Sequence, residues 1–303
     1  MPYKSNIWKM YLFRLFLSFH FIGGVLVPFF MDWGGISFTQ LMILQSIFVF
    51  SIFLLEVPTG AIADHFGRKT SLVLSGIFTA SAAIVYTLFP SFSLFILGEI
   101  LWAIGFALMS GSDEALIYDT LKKTKQEKIS KKIFGRYSSF ELIGISLGAP
   151  IGSVVAATLG LKYAMLFMVV PFLMASLFAL TLKEPIIKKK KAIESRRYWD
   201  TLIKGVKYFK NHKVLQILAF DRISTALLVF FIIWTYQPLL KQLGVPLIYF
   251  GFIHMAIGGV QVGFMNNFTW FEKIFGSKKR YLLWSELISG ICFILLGLNT
   301  YIP

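Results

Sequence analysis

Glu99, Arg14, Glu141, His20 and Glu56 stand within or at the ends of long apolar runs. A charge in such a place is costly unless something pairs with it. Glu99 is the acid farthest from any lysine cluster in the first half of the chain, one helical turn before Trp102. A carboxylate in apolar surroundings can take up and return a proton as its neighbours change, which is what proton coupling needs; a neutral, hydrogen-bonded packing residue is the alternative. Arg14 is a potential partner for Glu99 or Glu141, and His20, six residues further on, either titrates or sits neutral and satisfied. Asp113, Glu114 and Asp119 crowd the inner end of the fourth run, close to basic loops, where structural ion pairs are the first expectation. In the second half Asp221 and Arg222 are adjacent, and neighbours on a helix point about 100° apart, so each needs its own partner. Glu286 is the acid of the last run. Trp102 and Trp234 can line a cavity and stack on an aromatic or cationic solute, or simply pack helices.

Other chemistries lack their residues. The chain has 4 His and a single cysteine, Cys292, so neither a disulfide nor a metal cage is expected, and no cofactor. No glycine-rich phosphate loop ending in Lys-Ser/Thr is present, so ATP does not drive the protein directly. Only His20 and His254 lie in the apolar runs, too few for a paired catalytic constellation, and the protein is not read as an enzyme.

The elements that carry these residues follow from composition. Of 303 residues 56% are hydrophobic and only 15% charged, with 32 Phe and a mean hydropathy of +0.71. A soluble chain averages about 25% charged residues. The net charge of +15 therefore marks membrane topology, not nucleic-acid binding. Nine runs approach the ~20 residues a helix needs to cross a bilayer: roughly 8–30, 38–62, 71–89, 92–115, 137–159, 163–182, 214–239, 247–270 and 281–300. Ser37 with Gln40 forms the pattern of a capping box at the start of the second. Lys and Arg concentrate in alternate loops, which places the N-terminus in the cytoplasm of a multi-pass cell-membrane protein.

Residues 183–213 interrupt the short loops with eleven Lys and Arg. Within them Trp199, Leu202, Ile203, Val206 and Phe209 share one helical face, which predicts an amphipathic helix over 198–211 on the inner membrane surface, or else a solvated basic linker. The domains are then a six-helix bundle over 1–182, the linker 183–213, and three further helices over 214–303. The halves share spacing. Arg14, Pro28 and Phe66-Gly67 recur as Arg222, Pro238 and Phe275-Gly276, with 53 residues from Arg14 to Gly67 and 54 from Arg222 to Gly276. Duplicated halves are typical of transporters.

The run Gly60-Ala61-Ile62-Ala63-Asp64-His65-Phe66-Gly67-Arg68-Lys69 follows the second apolar run. It resembles the cytoplasmic loop motif of the major facilitator superfamily, Gly-x-x-x-Asp-x-x-Gly-Arg-Lys/Arg. With Glu56-Val57-Pro58-Thr59 before it and Ser110-Gly111-Ser112-Asp113-Glu114 later, the chain is similar to a poorly characterised branch near the drug:proton antiporters. The residues alone assign Gly67 to a tight turn, Gly60 to close helix approach, and Asp64 to ion pairs beside Arg68 and Lys69. The resemblance adds that this loop latches the two halves on the cytoplasmic face. It also implies twelve spans, so a chain of nine is read as lacking the last three. Gly144-x-x-x-Gly148-Ala149-Pro150-Ile151-Gly152 matches the antiporter motif of the fifth span only in part, and Glu99 stands near where that pattern has an arginine.

Together these features predict an all-α polytopic membrane protein, major-facilitator-like, of about nine transmembrane helices. The function read from them is secondary active transport of a small lipophilic or cationic solute by alternating access, as proton-coupled efflux. Its partners are the solute, protons and the lipid bilayer, with no nucleic acid. A transporter fragment without activity, or a non-transporting membrane sensor, is the alternative.

Overall fold

Apolar runs of this length, without strand-like alternation, satisfy their backbone amides internally by forming helices. The computed structural model describes residues 3–185 and 195–277, with isolated positions between 280 and 294, and its described residues are helical or in short connections. In chain order the helices are α1 (Lys4–Leu17), α2 (Phe38–Phe66), α3 (Arg68–Leu88), α4 (Phe92–Met109), α5 (Ser112–Lys123), α6 (Ser130–Thr158), α7 (Leu161–Leu166), α8 (Val169–Leu180), α9 (Ser195–Asn211), α10 (Lys213–Gln242), α11 (Phe250–Asn266) and α12 (Phe268–Phe275). The capping box at the head of α2 forms as its residue types predict: Ser37 N–H donates to Gln40 Oε1 at 2.9 Å and Gln40 N–H to Ser37 Oγ at 3.2 Å.

Among the described residues, six helices are long and apolar enough to cross a membrane, and a seventh is gained if the first, bent pair counts as one span. The run expected at 247–270 contains a shorter apolar helix over Leu247–Val260. The run 281–300, with Glu286, falls largely outside the described residues. The run 92–115 lies in one candidate span, Phe92–Lys123, with a turn at Gly111 (φ 73°) between α4 and α5. Phe66-Gly67 and Phe275-Gly276, paired by the spacing of the halves, both end a helix on a glycine of positive φ, 96° and 76°.

Two compact units result, Met1–Pro185 with Gly244–Met265, and Ile186–Leu243 with Asn266–Pro303. In the first, α3 is the central helix. Its buried face is almost all small: Ser71, Ser75, Gly76, Thr79, Ala80 and Ala83. A Cβ on Gly76 would strike Ser176 and the backbone of Phe172 in α8, and one on Gly105 of α4 would strike Thr79. Such close backbones allow cross-helix hydrogen bonds, Ser71 Oγ to Leu108 O at 2.6 Å and Ser176 Oγ to Val73 O at 3.0 Å. In the second unit, α9 carries the amphipathic segment, with Ile203, Val206 and Phe209 exposed. Its last carbonyls accept from Gln216 of α10, at 3.0 Å for Phe209 and 2.8 Å for Lys210.

The first span is not one helix. Its two parts, Ser5–Gly24 and Leu26–Trp33, meet at 68°. Regular α-helix stops at Leu17, a short turn covers Phe21–Gly24, and the chain resumes before Pro28. Gly23, Gly24 and Pro28 are poor helix-interior residues, and Pro28 has no N–H to offer the preceding turn. Irregular backbone inside a membrane is tolerated only where protein covers it. The cover is the glycine face of α6: Gly144 lies against Leu15 and Ser18, Gly148 against His20, and Gly152 against the carbonyl of Phe21. Gly251 of α11 packs against both Gly24 and Ala149 of α6, while Ser153 Oγ donates to Ile248 O at 2.8 Å.

A side chain at Gly152 would have to displace backbone. We expect Gly152→Val to destabilise the protein by about 1–3 kcal/mol or more through overpacking. Gly135→Ala, in the same helix but with nothing within 4 Å of the added methyl, is expected to leave stability unchanged or slightly raised. Thermal unfolding of both variants in detergent checks this; equal melting of the two removes the glycine cradle from the account.

Candidate functional site

The broken span leaves space beside it. A cavity of about 310 Å³ is lined by His20, Gly23, Phe30, Gln45, Tyr86 and Glu99, with Trp102, Phe106 and other apolar groups completing the wall. A second, of about 70 Å³, is lined by Arg14, Ser18, Thr79 and Glu141 together with His20, Trp102 and Phe106. His20, Trp102 and Phe106 thus line both.

Glu99 is 4% exposed and belongs to the buried face of α4. Gln45 Nε2 of α2 donates to its Oε1 at 3.2 Å, and the Tyr86 hydroxyl of α3 is its other hydrogen-bond neighbour. Both are neutral. Rings close the site: Trp102 lies 6.0 Å from Tyr86 and 5.5 Å from Phe172, and His20 meets Trp102 edge-on at 5.8 Å.

Of the two partners open to Arg14, the structure selects Glu141. Arg14 Nη2 is 2.5 Å from Glu141 Oε1, while Nη1 is 3.9 Å from Asp113 Oδ2 and 2.8 Å from Met109 Sδ. The guanidinium stands 5.4 Å from the Tyr137 ring, and the Tyr137 hydroxyl donates to Asp113 Oδ2 at 2.7 Å. Of the alternatives left open by the sequence, the pair with Glu141 is the one formed: α1 directs Arg14 toward α6, where Glu141 stands, and the Glu99 carboxylate is met by Gln45 and Tyr86.

At the end of α2, Gly67 makes the expected turn, and a Cβ there would meet the Glu184 carboxylate at 2.7 Å. Glu184 Oε1 accepts from Arg68 N–H at 2.7 Å and Oε2 from Lys69 N–H at 3.0 Å, an anion on the positive end of α3. The Arg68 guanidinium pairs with Asp119 and donates to Ala115 O at 2.8 Å. Asn6 of α1 is fully buried and clasps Lys183, its amide donating to Lys183 O at 2.7 Å and its Oδ1 accepting from Lys183 N–H at 3.0 Å. Among the described residues nothing lies within 4 Å of where a Cβ of Gly60 would be, so no close helix contact is made there. Asp64, Glu56 and Glu114 are exposed.

In the second unit Asp221 is half-buried and Arg222 exposed on α10, and Trp234 is 6% exposed, 6.0 Å from Phe230 and lining neither cavity. Sequence reading missed Gln45, Tyr86, Tyr137, Asn6 and Glu184. The signal for the first was a polar amide in an apolar run; for Glu184 it was a lone acid at the head of a basic segment.

Comparison with known proteins is consistent with this architecture. The model of the Major Facilitator Superfamily matches residues 11–302. An uncharacterized MFS-type transporter of Bacillus subtilis (strain 168), YxaM, is 24% identical over 226 residues, covering 74% of this chain and 55% of the relative. The chain thus spans about half the length of that curated relative. Among solved structures, a bacterial homolog of the human lysosomal transporter Spinster superposes with a TM-score of 0.71 at 16% identity over 90% of this chain and 63% of its own. A D-xylose-proton symporter superposes with a TM-score of 0.61 at 14% identity, over 86% of this chain and 66% of its own.

Hydrogen bonds to a charged acceptor contribute about 1.5–3 kcal/mol each. Glu184→Gln keeps the shape and one acceptor but removes the charge from the end of α3. We expect it to lower stability by about 1–2 kcal/mol, measured by thermal unfolding against Glu127→Gln, an exposed acid, as control. An unshifted Glu184 variant shows that the carboxylate is not holding the loop.

Proposed function

The chain belongs to the Major Facilitator Superfamily, and on that premise we propose that it is a secondary active transporter of a small lipophilic or cationic solute, working by alternating access as proton-coupled efflux. The observation that carries the reading is Glu99, a buried acid with neutral hydrogen-bond partners in a cavity walled by rings. Its volume of about 310 Å³ lies at the lower end of small-molecule sites. A carboxylate there attracts a cation, and the faces of Trp102 and Tyr86 add cation–π attraction. A proton on Glu99 cancels that attraction. One acid that holds either a proton or the solute, in turn, is the minimum an antiporter requires.

The proposal includes the topology read from the sequence: nine spans, a cytoplasmic N-terminus, a first bundle to residue 182 and the basic segment 183–213 before the second. Gly60, Asp64, Gly67, Arg68 and Lys69 serve as the cytoplasmic latch. Arg14, Glu141, Glu56, His20 and Trp102 complete the candidate proton and solute site, Asp113, Glu114 and Asp119 are charges at the inner end of the fourth span, and Asp221, Arg222 and Trp234 are the candidate residues of the second half.

The test is accumulation of tetraphenylphosphonium by the protein in lipid vesicles under an imposed pH gradient. Glu99→Gln fills the same volume and is expected to reduce gradient-driven accumulation more than tenfold, with a smaller loss in solute exchange. Full accumulation by this variant moves the proton site to Glu141 or Glu56, or removes proton coupling. Separately, Asp64→Asn is expected to cut transport strongly while membrane insertion, judged by protein recovered in the membrane fraction, stays normal. Normal transport by that variant removes the latch.

A further inference from the structure

The two cavities of the first unit share three lining side chains, His20, Trp102 and Phe106. On one side stands Glu99; on the other stands Glu141, in its ion pair with Arg14. Each cavity is roomy enough for water, about two molecules in the smaller at ~30 Å³ apiece. Protons can therefore move within each cavity by hydrogen-bonded exchange, and a titratable group that lines both can carry them from one to the other. Phe106 has no titratable atom. The Trp102 indole has only a donor N–H. His20 alone of the three can both bind and release a proton.

Its position is built, not incidental. His20 sits where α1 has ended, its N–H donating to Ser18 O at 2.8 Å and its carbonyl accepting from Gly23 N–H at 3.1 Å. Gly148 of α6 lies against its backbone. The ring is held edge-on between Trp102 and Phe172, at 5.8 and 6.0 Å. The charged and titratable groups around it are Glu99 and Tyr86 across the larger cavity, Arg14 and Glu141 across the smaller, and His254 of α11, whose ring stands beside Gly23.

From this geometry we propose that His20 is a proton relay joining the Glu99 cavity to the Arg14–Glu141 pair. The proposal rests on the reading that Glu99 exchanges protons. The Glu99 O–H bond breaks and an N–H bond forms on the imidazole, through water in the larger cavity, leaving a carboxylate and an imidazolium. The N–H bond on the other ring nitrogen then breaks and an O–H bond forms on Glu141, leaving the imidazole neutral. Protonated Glu141 no longer supplies the charge that binds Arg14, so the proton's arrival loosens the tie between α1 and α6. Relay and conformational release are then one event.

The experiment uses the full chain in lipid vesicles of fixed interior pH, with exterior pH stepped. Dicyclohexylcarbodiimide, which modifies protonated carboxyl groups in apolar surroundings, reports both acids, and peptide mass spectrometry counts the adducts at Glu99 and Glu141. In the natural sequence labelling of both acids is expected to follow the exterior pH together. In His20→Gln and in His20→Phe, which fills the ring's space without binding a proton, one acid should still follow and the response of the other should fall at least tenfold. If either folded variant keeps both acids in step, or if the two are already independent in the natural sequence, the relay is wrong. A difference between the Gln and Phe variants assigns His20 to packing and also overturns it. If Glu99 is not labelled at any pH, it is the parent reading that fails; labelled Glu99 with coupling intact in His20→Phe sinks the relay alone.

Discussion

Peptide groups inside a bilayer have no water to bond to, and the chain between Ser18 and Gly24 gives up regular helix at that depth. The first unit is organised around covering this segment. Three glycines at four-residue spacing on α6 bring backbone against backbone, and Gly251 of α11 packs against both Gly24 and Ala149. A single Cβ on either face would prise the segment loose. Because the break is held, His20 can project between two cavities instead of taking a place in a continuous helix. The bend of 68° it creates is also what leaves room beside α4 for Glu99 and its rings.

Charges in the same unit fall into two regimes. Arg14 has Glu141, Asp113, the Met109 sulfur and the Tyr137 ring, and Asp113 has the Tyr137 hydroxyl in turn. Such a network binds α1, α5 and α6, and because the Glu141 side chain is 34% exposed, solvent screens its pair with Arg14 more than it would a fully buried one. Glu99 is different. Its hydrogen bonds come from an amide and a phenol, two neutral groups that bring no full charge to hold it ionised. An acid whose neighbours do not commit it to one charge state is suited to change it.

The end of this unit that holds the N-terminus and Glu184 is a hydrogen-bonded plate. Glu184 closes the start of α3, Asp119 holds Arg68, Asn6 clasps Lys183 and Lys9 reaches Thr181 O at 2.7 Å. Ends of α1, α3, α5 and the chain after α8 are thereby fixed to one another, at the point where the basic segment begins. These contacts make that end of the unit rigid. The loop motif read from the sequence as a bond between halves has, among the described residues, strong partners within its own unit.

Much of this was written in residue order. Long apolar runs leave helix as the sole economical backbone, the capping box of Ser37 and Gln40 is a local pattern, and Gly67 before Arg68 announces a turn that only a residue without Cβ takes easily. Glu99 and Arg14 were conspicuous because charge is rare in such runs. What residue order left open were the pairings. Arg14 had two acids in prospect, and its choice of Glu141 depends on which face α6 turns to α1, a consequence of glycines more than a hundred residues away. Gln45, Tyr86 and Glu184 looked like ordinary polar residues until packing brought them to a carboxylate or a helix end. Local backbone preference and hydropathy act over a few neighbouring residues, so the sequence by itself determined the elements and their membrane class; cavities and ion pairs arise from the relative rotation of helices, which only close packing in the tertiary structure decided.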